Sequence, residues 1–256
     1  MTELVLSLLA AVLAITLHEA AHGYAALALG DDTAKSLGRL SLNPLRHVDR
    51  FGTIILPIGL LVFQLFTLGH VAFMFGWAKP VPVSAWRFRY PRQGMAIVAA
   101  AGPAMNFFLA WAAALALQAM PEVPLWVQCY FLDNLNQTDR CMLLAFGDPV
   151  EAAEYFSNFV YFFMMSNLVL GLFNLLPIPP LDGGRIVVGL LPESLAMAWA
   201  RLERAGIVMV MLLVFLLPQA LREFGIAFDP VGSALSRLLP AGFRLILLAA
   251  GHVADG

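Results

Sequence analysis

Three ionisable residues near the start of the chain stand at the spacing of a metal-binding motif. His18, Glu19 and His22 follow the pattern H-E-x-x-H, and residues four apart lie one above the other on one face of a helix. Two neutral imidazoles on that face can bind a metal ion, most often zinc, and the neighbouring carboxylate can act as general base on a water molecule. We therefore predict that His18 and His22 are metal ligands and that Glu19 is catalytic.

The motif lies inside an apolar segment that is long enough to cross a membrane. Outside the motif, residues 4–29 include no Asp, Glu, Lys or Arg, and about 20 apolar residues suffice to span the hydrocarbon core. Ionisable side chains at that depth are costly and mark functional sites. The alternative, a pair of histidines that hydrogen-bond between helices, would leave Glu19 without a partner in hydrocarbon. We therefore predict a metal site within the membrane.

The composition of the whole chain agrees with an integral-membrane protein. Of its 256 residues, 61% are hydrophobic and 12% are charged, whereas a soluble domain has about 25% charged residues. The net charge of -2 comes without a basic stripe, so we expect no nucleic-acid partner. No linker or low-complexity tract divides the sequence, and we predict a single multi-pass domain over residues 1–256 in the cell membrane.

The predicted fold is an all-α polytopic membrane protein with about five or six transmembrane segments. The last apolar segment is short and is split by Pro240, so we expect it to lie at the membrane interface rather than to span the bilayer. The predicted segments are three core segments at 4–29, 93–120 and 155–190, a re-entrant element at 51–83, and C-terminal segments at 194–218 and 235–250.

The basic residues of the loops indicate how these segments are oriented. Loops 31–50 and 79–94 contain four Lys or Arg residues each, whereas loop 120–154 contains one, among six acidic residues. The positive-inside rule places the first two loops in the cytoplasm and the third loop outside. With this orientation the His18 site lies nearer the cytoplasmic side of the membrane.

The segment between the two basic loops cannot be a single crossing if both loops share one side. We predict that the chain enters as a helix over about 53–68 and returns as extended backbone over 70–83, because the return is rich in Val, Phe, Gly and Pro. Such backbone is tolerated at membrane depth only against protein or a cavity. It should therefore pack beside the metal site and leave an edge available for pairing. Two ordinary crossings are the alternative.

A catalytic zinc site usually has three protein ligands, so one more is required. Asp182 is the other ionisable residue in a strongly apolar context. It could instead cap the short helix predicted over 183–190, and capping and ligation can coexist if the two carboxylate oxygens divide the tasks. Three prolines precede Asp182 and break the helix before it; they are Pro177, Pro179 and Pro180.

Two asparagines in apolar segments are further candidates for the site. Asn174 stands just before the proline break, and Asn106 follows Gly102-Pro103. Each could donate to a developing oxyanion or hold a backbone carbonyl of the substrate. Each could equally form a hydrogen bond that joins two membrane helices. The residues alone leave both interpretations open.

Taken together, three motifs in this order resemble the site-2 protease family of intramembrane zinc metalloproteases. They are His18-Glu-x-x-His22, Gly102-Pro-x-x-Asn106 and Asn174-x-x-Pro177-x-Pro-x-Leu181-Asp182-Gly183. The resemblance implies one Zn2+ per chain with Asp182 as third ligand, and active-site or substrate-binding roles for Asn106 and Asn174. It also implies a transmembrane protein or peptide substrate within the lipid bilayer. The chain resembles the minimal prokaryotic members, without PDZ or CBS domains.

Two other functions would use the same residues. An intramembrane metal or ion transporter could place its site at the same histidines and aspartate, although the polar groups cluster on one side of the membrane rather than along a path. An inactive scaffold is the other alternative, although every proposed catalytic residue is present. The two cysteines, Cys129 and Cys141, fall in the acidic loop, where an oxidising compartment would allow a disulfide or leave two unpaired thiols.

Overall fold

The computed structural model describes residues 2–70, 76–118, 152–226 and 228–251, which excludes both cysteines and most of the acidic loop. Within these ranges all regular structure is helical and five helical segments are long and apolar enough to cross a membrane. The predicted all-α polytopic membrane fold is therefore confirmed.

The described residues form a series of α-helices. In order they are α1 (Thr2–Ala28), α2 (Thr33–Ser36), α3 (Leu56–Leu68), α4 (Pro91–Gln118), α5 (Ala152–Asn174), α6 (Asp182–Leu190), α7 (Glu193–Leu202), α8 (Gly206–Met211), α9 (Leu217–Glu223) and α10 (Pro230–Ala249). Single 3-10 turns stand at Pro44–Arg46, Ala85–Arg87 and Glu203–Ala205, and π-helical turns precede α3 and join α8 to α9, at Arg50–Ile55 and Leu212–Leu216.

Helices α1, α4 and α5 pack against one another and form the centre of the molecule. Most of the buried hydrophobic residues on α1 and α4 are alanine, such as Ala14 and Ala110, and such small side chains let membrane helices approach closely. Helix α10 packs against α4 and α5 through Phe243 and Leu247, which are almost fully buried. Large apolar side chains on the outer faces are exposed, as expected for surfaces that meet lipid.

The chain between α2 and α4 returns close to the point at which this segment begins. The backbone N–H of Trp77 donates to the carbonyl of Gly52 over 3.2 Å, and the Thr53 hydroxyl donates to the carbonyl of Trp77 over 2.8 Å. Helix α3 lies between these two contacts along the chain, and residues 76–84, where an extended return is predicted, contain neither helix nor strand. These contacts bring residues 52 and 77 together, as the predicted re-entrant element requires, and the element and its alternative of two ordinary crossings stay predictions.

The C-terminal segment differs from the prediction. Helix α10 begins at Pro230 and continues through Pro240 for 20 residues, so the predicted split is wrong and the helix is long enough to span a membrane. The Asp229 side chain caps the helix by accepting from the N–H of Gly232 over 2.8 Å. Packing of the following turns against α4 and α5 offsets the single backbone hydrogen bond that a proline removes.

Candidate metal centre

Three ligand atoms from α1 and α6 converge at the centre of the molecule. The Nε2 atoms of His18 and His22 lie 3.0 Å apart, and the Oδ2 atom of Asp182 lies 3.1 Å and 3.3 Å from them respectively. All three residues are at least nine-tenths buried. The predicted ligand set is thus brought together, across a sequence separation of more than 150 residues.

The hydrogen bonds of the imidazoles show that this cluster fits a cation. The Nδ1 atom of His22 lies 2.8 Å from the carbonyl of Val98, and that of His18 lies 2.6 Å from Oδ1 of Asn106. Oxygen atoms of this kind only accept, so each neutral ring carries its proton on Nδ1 and directs a lone pair from Nε2 into the cluster. Apart from these ring nitrogens, no donor in the described part of the chain reaches Oδ2 of Asp182.

Three acceptor atoms that face one another repel unless a positive ion lies between them. Two imidazole nitrogens and one carboxylate oxygen form a ligand set typical of catalytic zinc, which leaves a further coordination position open. The outer nitrogens of both rings are held by oxygen atoms, as is usual for histidines that bind metals. The chemistry of this site therefore fits a zinc ion.

Gly102 on α4 provides the space that the two imidazoles occupy. A Cβ atom at this position would lie 2.5 Å from Cε1 of both His18 and His22, far inside van der Waals contact. Pro103 follows within the same helix and is buried. The glycine of the Gly102-Pro-x-x-Asn106 motif is thus required by the close approach of α4 to the metal ligands.

Asp182 reaches the histidines because the chain folds back sharply after α5. Helix α6 starts so close to the end of α5 that a Cβ atom on Gly183 would lie 2.3 Å from the carbonyl oxygens of Leu175 and Leu176. The residue at the cap position is Leu181, and Asp182 is the first residue of α6 and caps nothing. The capping alternative for Asp182 is therefore wrong, and its carboxylate is free to face the histidines.

Glu19 is held from the re-entrant element. Its Oε2 atom accepts a hydrogen bond of 3.0 Å from the backbone N–H of Val81, and Val81 itself is 8% exposed. The extended return segment therefore packs beside the motif helix, as the sequence predicts. The Glu19 carboxylate keeps its second oxygen for other partners.

The two predicted asparagines occupy different environments. Asn106 is fully buried and contacts His18 directly. The amide of Asn174 instead donates to the carbonyl of Leu170, one turn earlier in α5, over 3.0 Å. The roles of both residues toward a substrate stay predictions.

One polar residue of the site was not predicted. Asn167 on α5 is fully buried, and its Oδ1 accepts from the Asn106 amide over 2.8 Å. The signal was present in the sequence, because a polar side chain in the middle of a membrane helix is costly and usually functional. Asn167 also stands two helical turns before Asn174, on a similar face of α5.

Comparison with known proteins identifies the family. The sequence profile of peptidase family M50 matches residues 6–218, which include every predicted site residue. The chain belongs to peptidase family M50. The resemblance to site-2 proteases is thereby confirmed, and this M50 member is a zinc metalloprotease of the multi-pass membrane type.

Two of the relatives named "Putative zinc metalloprotease" match most of this chain. YwhC of Bacillus subtilis is 37% identical over 207 residues, which cover 81% of this chain and 78% of the relative. Rip2 of Mycolicibacterium smegmatis is 29% identical over 237 residues, which cover 91% of this chain and 76% of the relative. No solved structure matches this M50 chain at a significant level.

Proposed function

We propose that this M50 metalloprotease hydrolyses peptide bonds within or near transmembrane segments of membrane proteins, in regulated proteolysis or in the clearance of such proteins. The observation that carries the proposal is the position of the ligand cluster. His18 and His22 are buried in a helix that is long and apolar enough to cross a membrane. A substrate whose scissile bond reaches this cluster must enter among membrane helices.

The depth of the cluster favours access from the cytoplasmic side. His18 lies about 24 Å along the axis of α1 from Thr2 and about 15 Å from Ala28, at 1.5 Å per residue. The Ala28 end leads into the basic loop 31–50, which the positive-inside rule assigns to the cytoplasm. We therefore place the active site toward the cytoplasmic side, where water has the shorter path.

The residues of the site divide the work of hydrolysis among them. His18, His22 and Asp182 would hold one zinc ion, which when bound would act as a Lewis acid that lowers the pKa of a water molecule and polarises the scissile carbonyl. Glu19 takes a proton from the attacking water and passes it to the leaving amine. The Val81 N–H, which donates to Oε2 of Glu19, keeps this carboxylate in place between the two transfers.

We assign Asn174 to the substrate or to the developing oxyanion, on the strength of the motif that it shares with site-2 proteases. Its amide at present donates to Leu170 within α5, so it must rotate to take this role. We assign Asn106 to the support of His18, which it contacts at 2.6 Å.

The substrate must also unwind, because a helix shields its peptide bonds with its own hydrogen bonds. The N–H groups of Trp77 and Lys79 donate to carbonyls of the protein, and that of Val81 donates to Glu19. Successive residues of extended backbone point to opposite edges, so the other edge presents Ala78 and two prolines, which lack an N–H. We propose that an unwound substrate pairs at this edge, where the Ala78 N–H is the principal donor.

The decisive experiment measures zinc content and cleavage in the same preparations. We expect the purified wild-type protein to bind one zinc ion and to cleave a synthetic transmembrane peptide in detergent or vesicles. Glu19→Gln should abolish cleavage and keep the zinc ion, because Gln cannot accept the proton. Glu3→Gln, the same change in the first turn of α1, should leave both unchanged.

Each other result contradicts a specific part of the proposal. Cleavage by Glu19→Gln at the wild-type rate would remove Glu19 from the mechanism. A wild-type protein that binds zinc, leaves the peptide intact and carries metal across vesicles would be the transporter. Equal cleavage of a soluble peptide without a membrane segment would contradict the intramembrane substrate.

A further inference from the structure

A line of three buried groups continues from His18 away from the metal centre. Oδ1 of Asn106 lies 2.6 Å from Nδ1 of His18. The Asn106 amide nitrogen donates to Oδ1 of Asn167 over 2.8 Å, and the Asn167 amide nitrogen donates to the carbonyl of Phe163 over 2.8 Å. Both asparagines are fully buried between α1, α4 and α5.

The direction of every hydrogen bond in this line follows from its last member. A backbone carbonyl only accepts, so the amide nitrogen of Asn167 must face Phe163 and its oxygen must face Asn106. The Asn106 nitrogen then donates to that oxygen, which turns the Asn106 oxygen toward His18. The proton of His18 is thereby placed on Nδ1 and the lone pair on Nε2.

The ring orientation and tautomer of His22 are fixed without a line of side chains. Its Nδ1 atom faces the backbone carbonyl of Val98, which cannot turn round. The partner of His18 is a side-chain amide that has two orientations of similar shape and opposite hydrogen bonding. In the reversed orientation the Asn106 NH2 group would face Nδ1 of His18, move the imidazole proton to Nε2 and remove a metal ligand.

We propose that Asn167 is a positioning residue of the metal centre, which fixes the orientation of the Asn106 amide and through it the tautomer and ring orientation of His18. The side-chain hydrogen bonds of Asn167 go to Asn106 and to the carbonyl of Phe163, not to the three candidate ligand atoms. The proposal rests on the metal site of the proposed function and deepens it, and zinc affinity separates the two.

The first test compares zinc binding by Asn167→Ala and wild type, with a chromogenic chelator as competitor. Loss of a direct outer partner of a metal-bound histidine typically weakens affinity by about 10- to 100-fold. Asn167 acts through that partner, so we expect a loss at the lower end of this range, about 10-fold. Met164→Leu is the matched control, because Met164 is equally buried on α5 and the change conserves volume. It should keep wild-type affinity.

The second test distinguishes orientation from packing. In Asn106→Asp, the carboxylate presents an oxygen to His18 in either orientation, so it needs no partner to direct it. We expect Asn167→Ala to cost little or no zinc affinity in that background. A packing role for Asn167 predicts the same loss in both backgrounds.

Cobalt substitution gives a readout that does not depend on cleavage. The visible absorption of the Co2+ protein reports the coordination of the metal, and we expect it to change in Asn167→Ala and to be unchanged in Met164→Leu. If Asn106→Asp does not fold, Asn167→Asp replaces it. A neutral buried carboxyl keeps the same acceptor and donor, so zinc affinity should return toward the wild-type value.

The outcomes separate the two levels of the proposal. A wild-type protein that does not bind zinc overturns the metal site itself. Three results would overturn the positioning role alone. They are a wild-type zinc affinity in Asn167→Ala, an equal loss of zinc affinity in both Asn106 backgrounds, and no recovery of zinc affinity in Asn167→Asp.

Discussion

The candidate metal centre depends on residues that could hold a metal ion and on a residue that leaves space for them. The ligand atoms of His18, His22 and Asp182 converge because Gly102 has no side chain where their helices meet. A glycine in a helix normally costs about 1 kcal/mol relative to alanine. At this position the missing Cβ permits an approach that alanine would prevent.

We expect Gly102→Ala to damage the metal centre rather than to stabilise α4. Its Cβ would lie 2.5 Å from both imidazoles, so the rings must move away from Asp182, and zinc affinity and cleavage should fall together by at least about ten-fold. Chelator competition and peptide cleavage measure the two effects. Gly59→Ala on α3 is the control, because a Cβ there meets nothing within 4 Å; equal zinc affinity in both variants would contradict the steric role.

At the scale of elements, the return segment 76–84 forms hydrogen bonds with α1 and with the residues that directly follow α1. The N–H of Val81 donates to Glu19, and that of Ser84 donates to the buried carboxylate of Asp31 over 2.6 Å. Asp31 also accepts from the N–H of Thr33 over 3.0 Å and from the Thr33 hydroxyl. The proposed general base and the proposed substrate edge are therefore joined by the same set of hydrogen bonds.

Proline substitutions separate the two edges of this segment. Val81→Pro removes the donor to Glu19, and Ala78→Pro removes the donor of the opposite edge. Extended backbone accepts proline at both positions. We expect each variant to lower cleavage of a transmembrane peptide at least about ten-fold, the loss equivalent to about 1.4 kcal/mol, with normal zinc content.

The control for Val81 is Val81→Ala, which loses the side chain and keeps the N–H. It should retain most of the activity. Cleavage by Val81→Pro at the rate of Val81→Ala would show that the backbone donor does not matter. Unchanged cleavage by Ala78→Pro would exclude pairing of the substrate at that edge.

Asp31 makes the stability of this arrangement depend on pH. Burial alone would raise the pKa of Asp31, but the donors of Ser84 and Thr33 and the Arg87 guanidinium hold it below its ordinary value of 3.8. A lowered pKa in the folded state means that the carboxylate stabilises the fold fully above pH 3.8 and loses this contribution as the pH falls through the lower, folded pKa.

We expect Asp31→Asn to destabilise the fold at neutral pH by about 1–3 kcal/mol, because its NH2 group faces a donor. Its unfolding temperature should also fall less than that of wild type on acidification below pH 3.8. Thermal unfolding across pH measures both effects. Asp32→Asn is the control, since the Asp32 side chain is 59% exposed; an equal effect of both changes would contradict the role of the buried carboxylate.

At the scale of the whole molecule, the distribution of charge predicts how the chain crosses the membrane. Trp86 lies in the basic loop 79–94 and is 81% exposed. In a chain whose native cysteines are replaced by serine, we expect Trp86→Cys to react with a membrane-impermeant maleimide in inside-out vesicles and not in intact spheroplasts. The native cysteines, with Trp86 retained, should show the opposite pattern after reduction. Labelling of Trp86→Cys in spheroplasts would reverse the predicted orientation.

Much of the architecture was predictable because membrane helices follow from local composition. Runs such as Leu4 to Leu29 must satisfy their own backbone in lipid, which requires a helix. The return of the chain from α3 to Gly52 agrees with the charge on the two flanking loops. The error at α10 has the same origin, because Pro240 breaks a helix in isolation but not one that is packed against α4 and α5.

The sequence by itself determined the chemistry of this protein: two histidines at helical spacing, a carboxylate beside them, an aspartate after a proline break, and long apolar segments around them all. These features are local, so composition and spacing suffice to define them. Only the tertiary structure decided which atoms meet. Each of these contacts joins residues that are 61 to 88 positions apart in the sequence. They are the Val98 carbonyl at His22, the Val81 N–H at Glu19, the space beside Gly102, and the hydrogen bonds from His18 through Asn106 to Asn167. Contacts over such separations depend on how the helices pack, and no local pattern in the chain specifies them.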